Sequence, residues 1–260
     1  MLLLLSPAKT LDYETPIRAT VLRRATEPAF MSRAAELIHT LARLSPPEVA
    51  TLMDLSDELA ALNVGRYAAW QPQATPQNSR PAALAFNGDV YEGLQAQSLK
   101  VADLDWAQQH VVILSGLYGA LRPLDRLQPY RLEMGTRLAT ARGRDLVAFW
   151  GDTIAQYLNE RQANEARPVI VNLASQEYFR AANRPLLRAR VVDCVFEDWK
   201  DGRYKVISFF AKRARGLLCR WAVLHRVATV NKLAQFEAEG YALDHDASAR
   251  DRLVFRRRSS

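Results

Sequence analysis

Cysteine is nearly missing from this chain. Cys194 and Cys219 are the only two in 260 residues, and neither sits in a CxxC or Cys/His spacing. A disulfide framework and a zinc site are both unindicated, and a reducing compartment fits. Histidine is as sparse, with four scattered residues, so no tight iron or zinc site and no cofactor is expected. Long apolar runs are absent too. Met1 to Leu5 is apolar but only five residues long, has no basic n-region, and stops at Ser6-Pro7. Neither a signal peptide nor a membrane span is expected, membrane is not expected as a partner, and the location should be cytoplasmic. There is no internal repeat and no low-complexity segment. With 49% apolar and 24% charged residues, the chain is expected to be globular with a large core, as one domain or two closely packed halves.

Positive charge is what the sequence has in excess. A net charge of +7 points to a polyanionic partner, nucleic acid before a membrane surface. From Asp201 to Arg226 there are seven basic residues and one acid. If Lys212 to Arg226 is one helix, Ala214, Leu217, Leu218, Trp221 and Leu224 share a face. Lys212, Arg213, Arg215, Arg220 and Arg226 then cover the other, a segregation expected of a polyanion site. No obligate protein partner is evident.

A second basic stretch runs from Leu114 to Gly135. The apolar run Val111 to Leu114 feeds into Ser115-Gly116 and Gly119, so a buried strand should end in a turn where backbone can approach a ligand. Beyond it, Arg122, Arg126 and Arg131 alternate with Pro123 and Pro129, which places guanidinium forks on a stiff, irregular segment suited to phosphate. Pairing of the same arginines with Asp125 and Glu133 is the structural alternative.

Strand-to-loop junctions recur elsewhere. Leu2 to Leu5 reads as a central buried strand running into Ser6-Pro7-Ala8-Lys9-Thr10-Leu11-Asp12, whose S-x-x-K letters lack the companion motifs of serine acyl-enzymes. Ala83 to Phe86 reads as a short strand before Asn87-Gly88-Asp89-Val90-Tyr91-Glu92-Gly93-Leu94. Lys9, Asp12, Asp89 and Glu92 are the catalytic candidates, Asp89 and Glu92 as an acid/base pair, as metal ligands that no histidine or third acid joins, or as turn residues. Pro168 to Leu173 is a second buried strand, ending in Asn172-Leu173-Ala174-Ser175, with Ser175 capping a short helix through Phe179.

The connecting segments read as helix and hairpin. Phe30 to Leu44 is an amphipathic helix. Ser45-Pro46-Pro47-Glu48 forms a capping box for a second, and Ser56 or Asp57 caps a third that ends before Gln71-Pro72. These two short helices could form a helix-hairpin-helix offering amides to phosphate, although the turn lacks Gly-x-Gly and is acidic. Asp103 to Gln109 is a capped helix. Gly143 to Arg161 is helical by pattern, either continuous or broken at Trp150-Gly151-Asp152. Arg188 to Trp199 and Arg203 to Phe210 flank an Asp201-Gly202 hairpin turn. Gly240 to Phe255 suggests a terminal strand pair around Asp244-His245-Asp246, a polar loop before it is a metal site.

Taken together, Ser6 to Asp12, Gly88 to Tyr91 with Gly93-Leu94, Leu114 to Gly135, Asn172 to Ser175 with Glu177-Tyr178-Phe179, and Lys212 with Ala214-Arg215-Gly216 resemble the YaaA family of bacterial peroxide-stress proteins over essentially the full length. The resemblance implies a cytosolic protein of the peroxide response that helps limit free iron and iron-dependent DNA damage. It implies a single mixed α/β fold over residues 1–260, as one body or two packed subdomains, with a mixed β-sheet, surrounding helices and a basic cleft. It also implies a helix-hairpin-helix-like element, best matched by Pro46 to Trp70, and binding of duplex and branched DNA without sequence preference. The expected DNA contacts are Lys9, Arg122, Arg126, Arg131, Lys212, Arg213, Arg215 and Arg220. A non-catalytic DNA-binding protein is one possibility; an enzyme acting on DNA or a nucleotide, lyase- or glycosylase-like, is the other. Convergence of the strand-end residues in one pocket is what separates them.

Overall fold

In a computed structural model, which describes residues 1–258, Leu2–Leu5 lies in the middle of an eight-stranded sheet. It pairs in parallel with Val111–Ser115 on one side and Val169–Leu173 on the other, so that Leu4 stands beside Val112 and Asn172. Four consecutive leucines suit this place because both faces of a parallel strand are covered, and Leu3, Leu4 and Leu5 are wholly buried. Each such side chain contributes about 1.5–3 kcal/mol by leaving water. The sheet continues in parallel through Arg190–Lys200 and Arg252–Arg257. Antiparallel strands close it: Gly119–Leu121 at one edge, Ala242–Leu243 at the other, and Arg203–Lys205 on the far end of Arg190–Lys200. Twelve helices surround it among the described residues. The fold is thus the mixed α/β architecture that the family resemblance implied.

The strand order sets where a site can lie. The chain first fills one side of Leu2–Leu5 and only later returns to fill the other, so the carboxyl ends of Leu2–Leu5 and Val169–Leu173 frame a crevice. Open α/β sheets bind ligands at such a reversal of strand order.

Several expected boundaries move. Ala83 to Phe86 is not a strand: Ala82–Ala85 is one helical turn, and only Phe86–Asn87 is extended, in a two-strand ribbon with Thr10–Leu11. Alanines have a high helix propensity and little side chain to pack on a pleated surface. The pattern from Gly143 to Arg161 resolves into Leu146–Trp150 and Thr153–Arg161, broken at Gly151, whose φ of 49° is left-handed. Asp201 and Gly202, with φ of 54° and 78°, make the expected hairpin turn. Its second strand stops at Lys205, and a helix then runs over Ser208–Leu224. Pro46–Met53 and Asp57–Ala69 form as read, the first with the Ser45/Glu48 capping box and the second capped by Ser56.

The Ser208–Leu224 helix crosses Asp89–Leu94 at very short range. A Cβ placed on Gly216 would lie 1.8 Å from the Val90 carbonyl oxygen, and one on Gly93 would lie 2.2 Å from that of Arg213. Backbone meets backbone there, and no side chain can bend away to make room. Gly216→Ala should therefore destabilise the protein by about 1–3 kcal/mol or more through overpacking. Gly65→Ala, in the exposed middle of Asp57–Ala69 with nothing within 4 Å of the new methyl, should stabilise by up to about 1 kcal/mol through helix propensity. Thermal denaturation of the two variants checks both signs, and equal effects would contradict the close crossing.

Candidate functional site at the strand ends

A cavity of about 460 Å³ opens at the carboxyl ends of Leu2–Leu5 and Val169–Leu173. It is walled by the Ser6 to Thr10 loop, the Asn87 to Tyr91 turn, Glu133, the Ser175 to Tyr178 region, and Lys212 and Arg215 of the long helix. Its floor is a pair of serines that ties the two strand ends together. Ser6 Oγ accepts the Ser175 amide at 2.8 Å and lies 3.4 Å from Ser175 Oγ. The Tyr91 hydroxyl donates to the Ser6 carbonyl at 3.0 Å. Burial pushes the Tyr91 and Tyr178 phenols above their ordinary range, so both stay protonated donors.

Three cations and three carboxylates share the lining, so the cavity is of mixed sign and not the uniformly basic cleft expected. Lys9 Nζ lies 2.9 Å from Glu133, which also takes Arg131 at 3.2 Å. Lys212 Nζ stands 3.9 Å from Asp89, an open pairing. Glu177 accepts the Gly135 amide at 2.8 Å. Arg215 has no carboxylate partner among the described residues; its Nε, like that of Arg131, is buried with no hydrogen-bond partner, and burial holds its pKa below the usual guanidinium value.

Of the catalytic candidates, Lys9 and Asp89 line the cavity. Asp12 does not. It closes its own loop by accepting the Glu14 and Thr15 amides at 2.9 Å, with Arg80 at 3.7 Å. Burial raises the Asp12 carboxyl, but those hydrogen bonds and Arg80 outweigh it and hold the group below its usual value. Glu92 points outward from Asp89–Leu94 and is exposed. Among the basic candidates, Lys212 and Arg215 join Lys9 at the cavity. Arg213 forms a two-toothed pair with Glu239. Arg220 donates to the carbonyls of Leu94 and Gln95 at 3.1 Å, and Arg226 holds Asp103 at 2.7 Å. The long helix therefore spends most of its basic face on neighbouring elements, which helical spacing alone does not reveal.

The Leu114 to Gly135 stretch is largely interior. A Cβ on Gly116 would lie 2.3 Å from the Leu132 carbonyl oxygen, and one on Gly119 would lie 2.6 Å from the Trp150 ring. These glycines admit protein neighbours, where the sequence suggested a ligand. Ser115 Oγ meets the Tyr130 hydroxyl at 2.6 Å, and the Tyr118 hydroxyl accepts from Trp70 Nε1 and the Gln128 amide. Arg122 is paired at 3.0 Å with the fully buried Asp125. Arg126 is half-buried on the ribbon it forms with Arg80–Pro81, and Arg131 is held by Glu133.

Sequence spacing missed a neighbouring groove altogether. Gly135, Arg137, Arg144, Asp145 and Arg180 line a hollow of about 470 Å³. Arg144, Arg180 and Arg184 continue it on one side, and Arg137 also borders a hollow against Pro46–Met53. Asp145 is engaged in capping Leu146–Trp150 by accepting the Ala148 amide at 2.8 Å. The only signal in the sequence was Arg137, Arg142 and Arg144 close together with no acid between; Arg180 arrives from the distant helix Gln176–Ala182. Gly135 belongs to this groove while Glu177, which binds its amide, belongs to the cavity, so the two hollows adjoin.

The family model described as peroxide stress protein YaaA matches residues 1–247. The chain belongs to this family. Similar relatives include a UPF0246 protein of Leptothrix cholodnii, 65% identical over 257 residues that span 99% of this chain and 98% of that protein. A UPF0246 protein of Bordetella petrii is 61% identical over 259 residues covering all of both chains. One of Bordetella avium is 61% identical over 258 residues, 99% of each. A role in the peroxide-stress response therefore goes with this YaaA chain. Among the described residues no helix is long and apolar enough to cross a membrane.

The Arg122–Asp125 geometry yields a separable expectation. Burial raises the Asp125 carboxyl, while the Thr26 hydroxyl, the Arg122 amide and the Arg122 guanidinium pull it back. Arg122→Gln should lower stability by about 3 kcal/mol by stranding that carboxyl. Thermal denaturation reads the loss, and a variant of full stability would contradict the buried pair.

Proposed function

We propose that this peroxide-stress protein acts on DNA, binding duplex and branched forms without sequence preference and so limiting iron-dependent damage. The observation that carries this is the arginine groove: Arg137, Arg144 and Arg180 face one hollow whose single acid among the described residues, Asp145, is already committed to a helix cap. Lys212, exposed at the adjoining cavity mouth with its nearest carboxylate at 3.9 Å, extends the positive surface. The Pro46–Met53 and Asp57–Ala69 pair, reached through Arg137, serves as the helix-hairpin-helix-like element; its turn carries Asp54, so helix flank and not turn is the part that meets phosphate. Arg144 stands 3.9 Å from Asp145, while Arg137 and Arg180 have no carboxylate partner among the described residues; guanidinium forks so placed suit phosphate oxygens and carry no base preference. Protection from iron follows from occupancy of DNA, without a resident metal.

Fluorescence anisotropy on duplexes of unrelated sequence should give similar affinities that fall steeply with salt. Replacing Arg137, Arg144 and Arg180 by Gln should flatten the log-log salt slope by roughly 0.9 for each phosphate that is no longer neutralised. The same variant should fail to protect a plasmid from nicking by iron and peroxide. An unchanged slope would rule the groove out as the DNA-binding surface.

The convergence of Lys9, Asp89 and Lys212 in one cavity favours a second possibility, a lyase acting on abasic DNA. A lysine amine would add to the C1′ aldehyde and lose water to give an imine, with Asp89 taking and returning protons. Borohydride reduction should then trap a covalent protein–DNA adduct that Lys212→Gln abolishes. No adduct at saturating protein removes the lyase from consideration.

A further inference from the structure

We infer that the strand-end cavity is a binding site for one terminal phosphate monoester, held by Arg215 and Lys212, on a ligand the size of a nucleoside monophosphate. This stands apart from the arginine groove and deepens the functional picture without depending on it.

A buried charge without a partner is the most costly feature a protein interior can hold, and it persists where something else compensates it. Arg215 is half-buried as a whole, and one edge of its guanidinium is in that position. Its Nε is sealed from water with no acceptor among the described residues, and the other ionisable group bearing on it is the buried Cys194 thiol, which burial keeps protonated. The other arginines of the same helix have protein partners: Arg213 takes Glu239 and Arg220 takes backbone carbonyls. Arg215 alone of the three is aimed into the cavity. Lys212 lies three residues before it, on the same side of the helix, and its nearest carboxylate, Asp89, is 3.9 Å away.

The lining selects the ligand by shape more than by charge. Lys9 is neutralised by Glu133 at 2.9 Å and Asp89 stands at a loose 3.9 Å from Lys212, which leaves Arg215 as the cation of the lining without a carboxylate partner among the described residues. A phosphate monoester presents three acceptor oxygens, matching the guanidinium fork and the lysine beside it. Elsewhere in the lining Glu133 and the Ser6–Ser175 pair offer acceptors to sugar hydroxyls or an amine. At about 460 Å³ the cavity falls within the range of small-molecule sites. The monoester has two sources, a free nucleotide or the 5′ end of a DNA strand, and the groove that adjoins at Gly135 would lead a strand end to the cavity.

The test is calorimetric titration of the purified full chain with thymidine 5′-monophosphate and with thymidine. The monophosphate should bind and thymidine should bind at least tenfold more weakly. Arg215→Lys, which keeps charge but loses the fork, should weaken the monophosphate at least tenfold, and Arg215→Met should abolish it. Ligand-free Arg215→Met should melt at or above the wild-type temperature, since it removes a sealed Nε that has no acceptor; a melting temperature several degrees lower would show Arg215 to be structural and overturn the assignment. Equal binding of the monophosphate to wild type and Arg215→Met would overturn it as well. A hairpin DNA bearing a 5′-phosphate, compared with its 5′-hydroxyl counterpart, identifies the source: tenfold preference for the phosphate marks a DNA end, and no preference alongside monophosphate binding marks a free nucleotide. Because the titrant is a mononucleotide, the result does not depend on whether the arginine groove binds duplex.

Discussion

The closeness of the Ser208–Leu224 helix to Asp89–Leu94 sets the geometry of the strand ends, because Gly93 and Gly216 let two backbones touch where any side chain would hold them apart. That contact carries Lys212 and Arg215 over the sheet and brings Asp89, the first residue of the shorter helix, beneath them. The Ser6–Ser175 bond then joins the two strands whose ends form the floor. Loss of either contact would scatter groups that come from five separate parts of the chain.

Arginine acts here chiefly as an internal strut. Arg256 bridges Glu197 and Asp244, and Arg257 holds Asp198, which also accepts the Tyr241 hydroxyl at 2.7 Å. Arg122, Arg131, Arg213 and Arg226 are engaged in the same way. The guanidinium fork can bind a carboxylate in a fixed plane while its stem packs on apolar or aromatic surface. A net charge of +7 consequently says little about any one helix. Positive groups without a carboxylate partner among the described residues include Arg137 and Arg180 of the groove and Arg215 at the cavity.

Two tyrosines explain why the Leu114 to Gly135 stretch is so irregular. Tyr118 and Tyr130 meet edge to face at 5.4 Å, and their hydroxyls bind Trp70, Gln128 and Ser115. Buried phenols must find partners, so the chain winds around them. Glu133 is the member of this stretch that reaches the cavity lining.

Local chemistry was enough to read a good part of this molecule. Four leucines in a row announce a strand covered on both faces, Ser45 and Glu48 announce a helix start, and Asp201-Gly202 announces a hairpin, since each depends on neighbours within a few residues. The motifs at Lys9, Asp89 and Lys212 were visible as candidates for the same reason. Tertiary structure alone decided which charges are spent. Helical spacing puts Arg213, Arg215 and Arg220 together on a polar face, but Glu239, the Leu94 carbonyl and the cavity that claim them lie far away in the chain. The alanines of Ala82–Ala85 became a helical turn and not a strand, and Arg137, Arg144 and Arg180 met in one groove from separate segments. A side chain's partner is set by distance in space, and sequence specifies that distance only through the packing of the whole sheet.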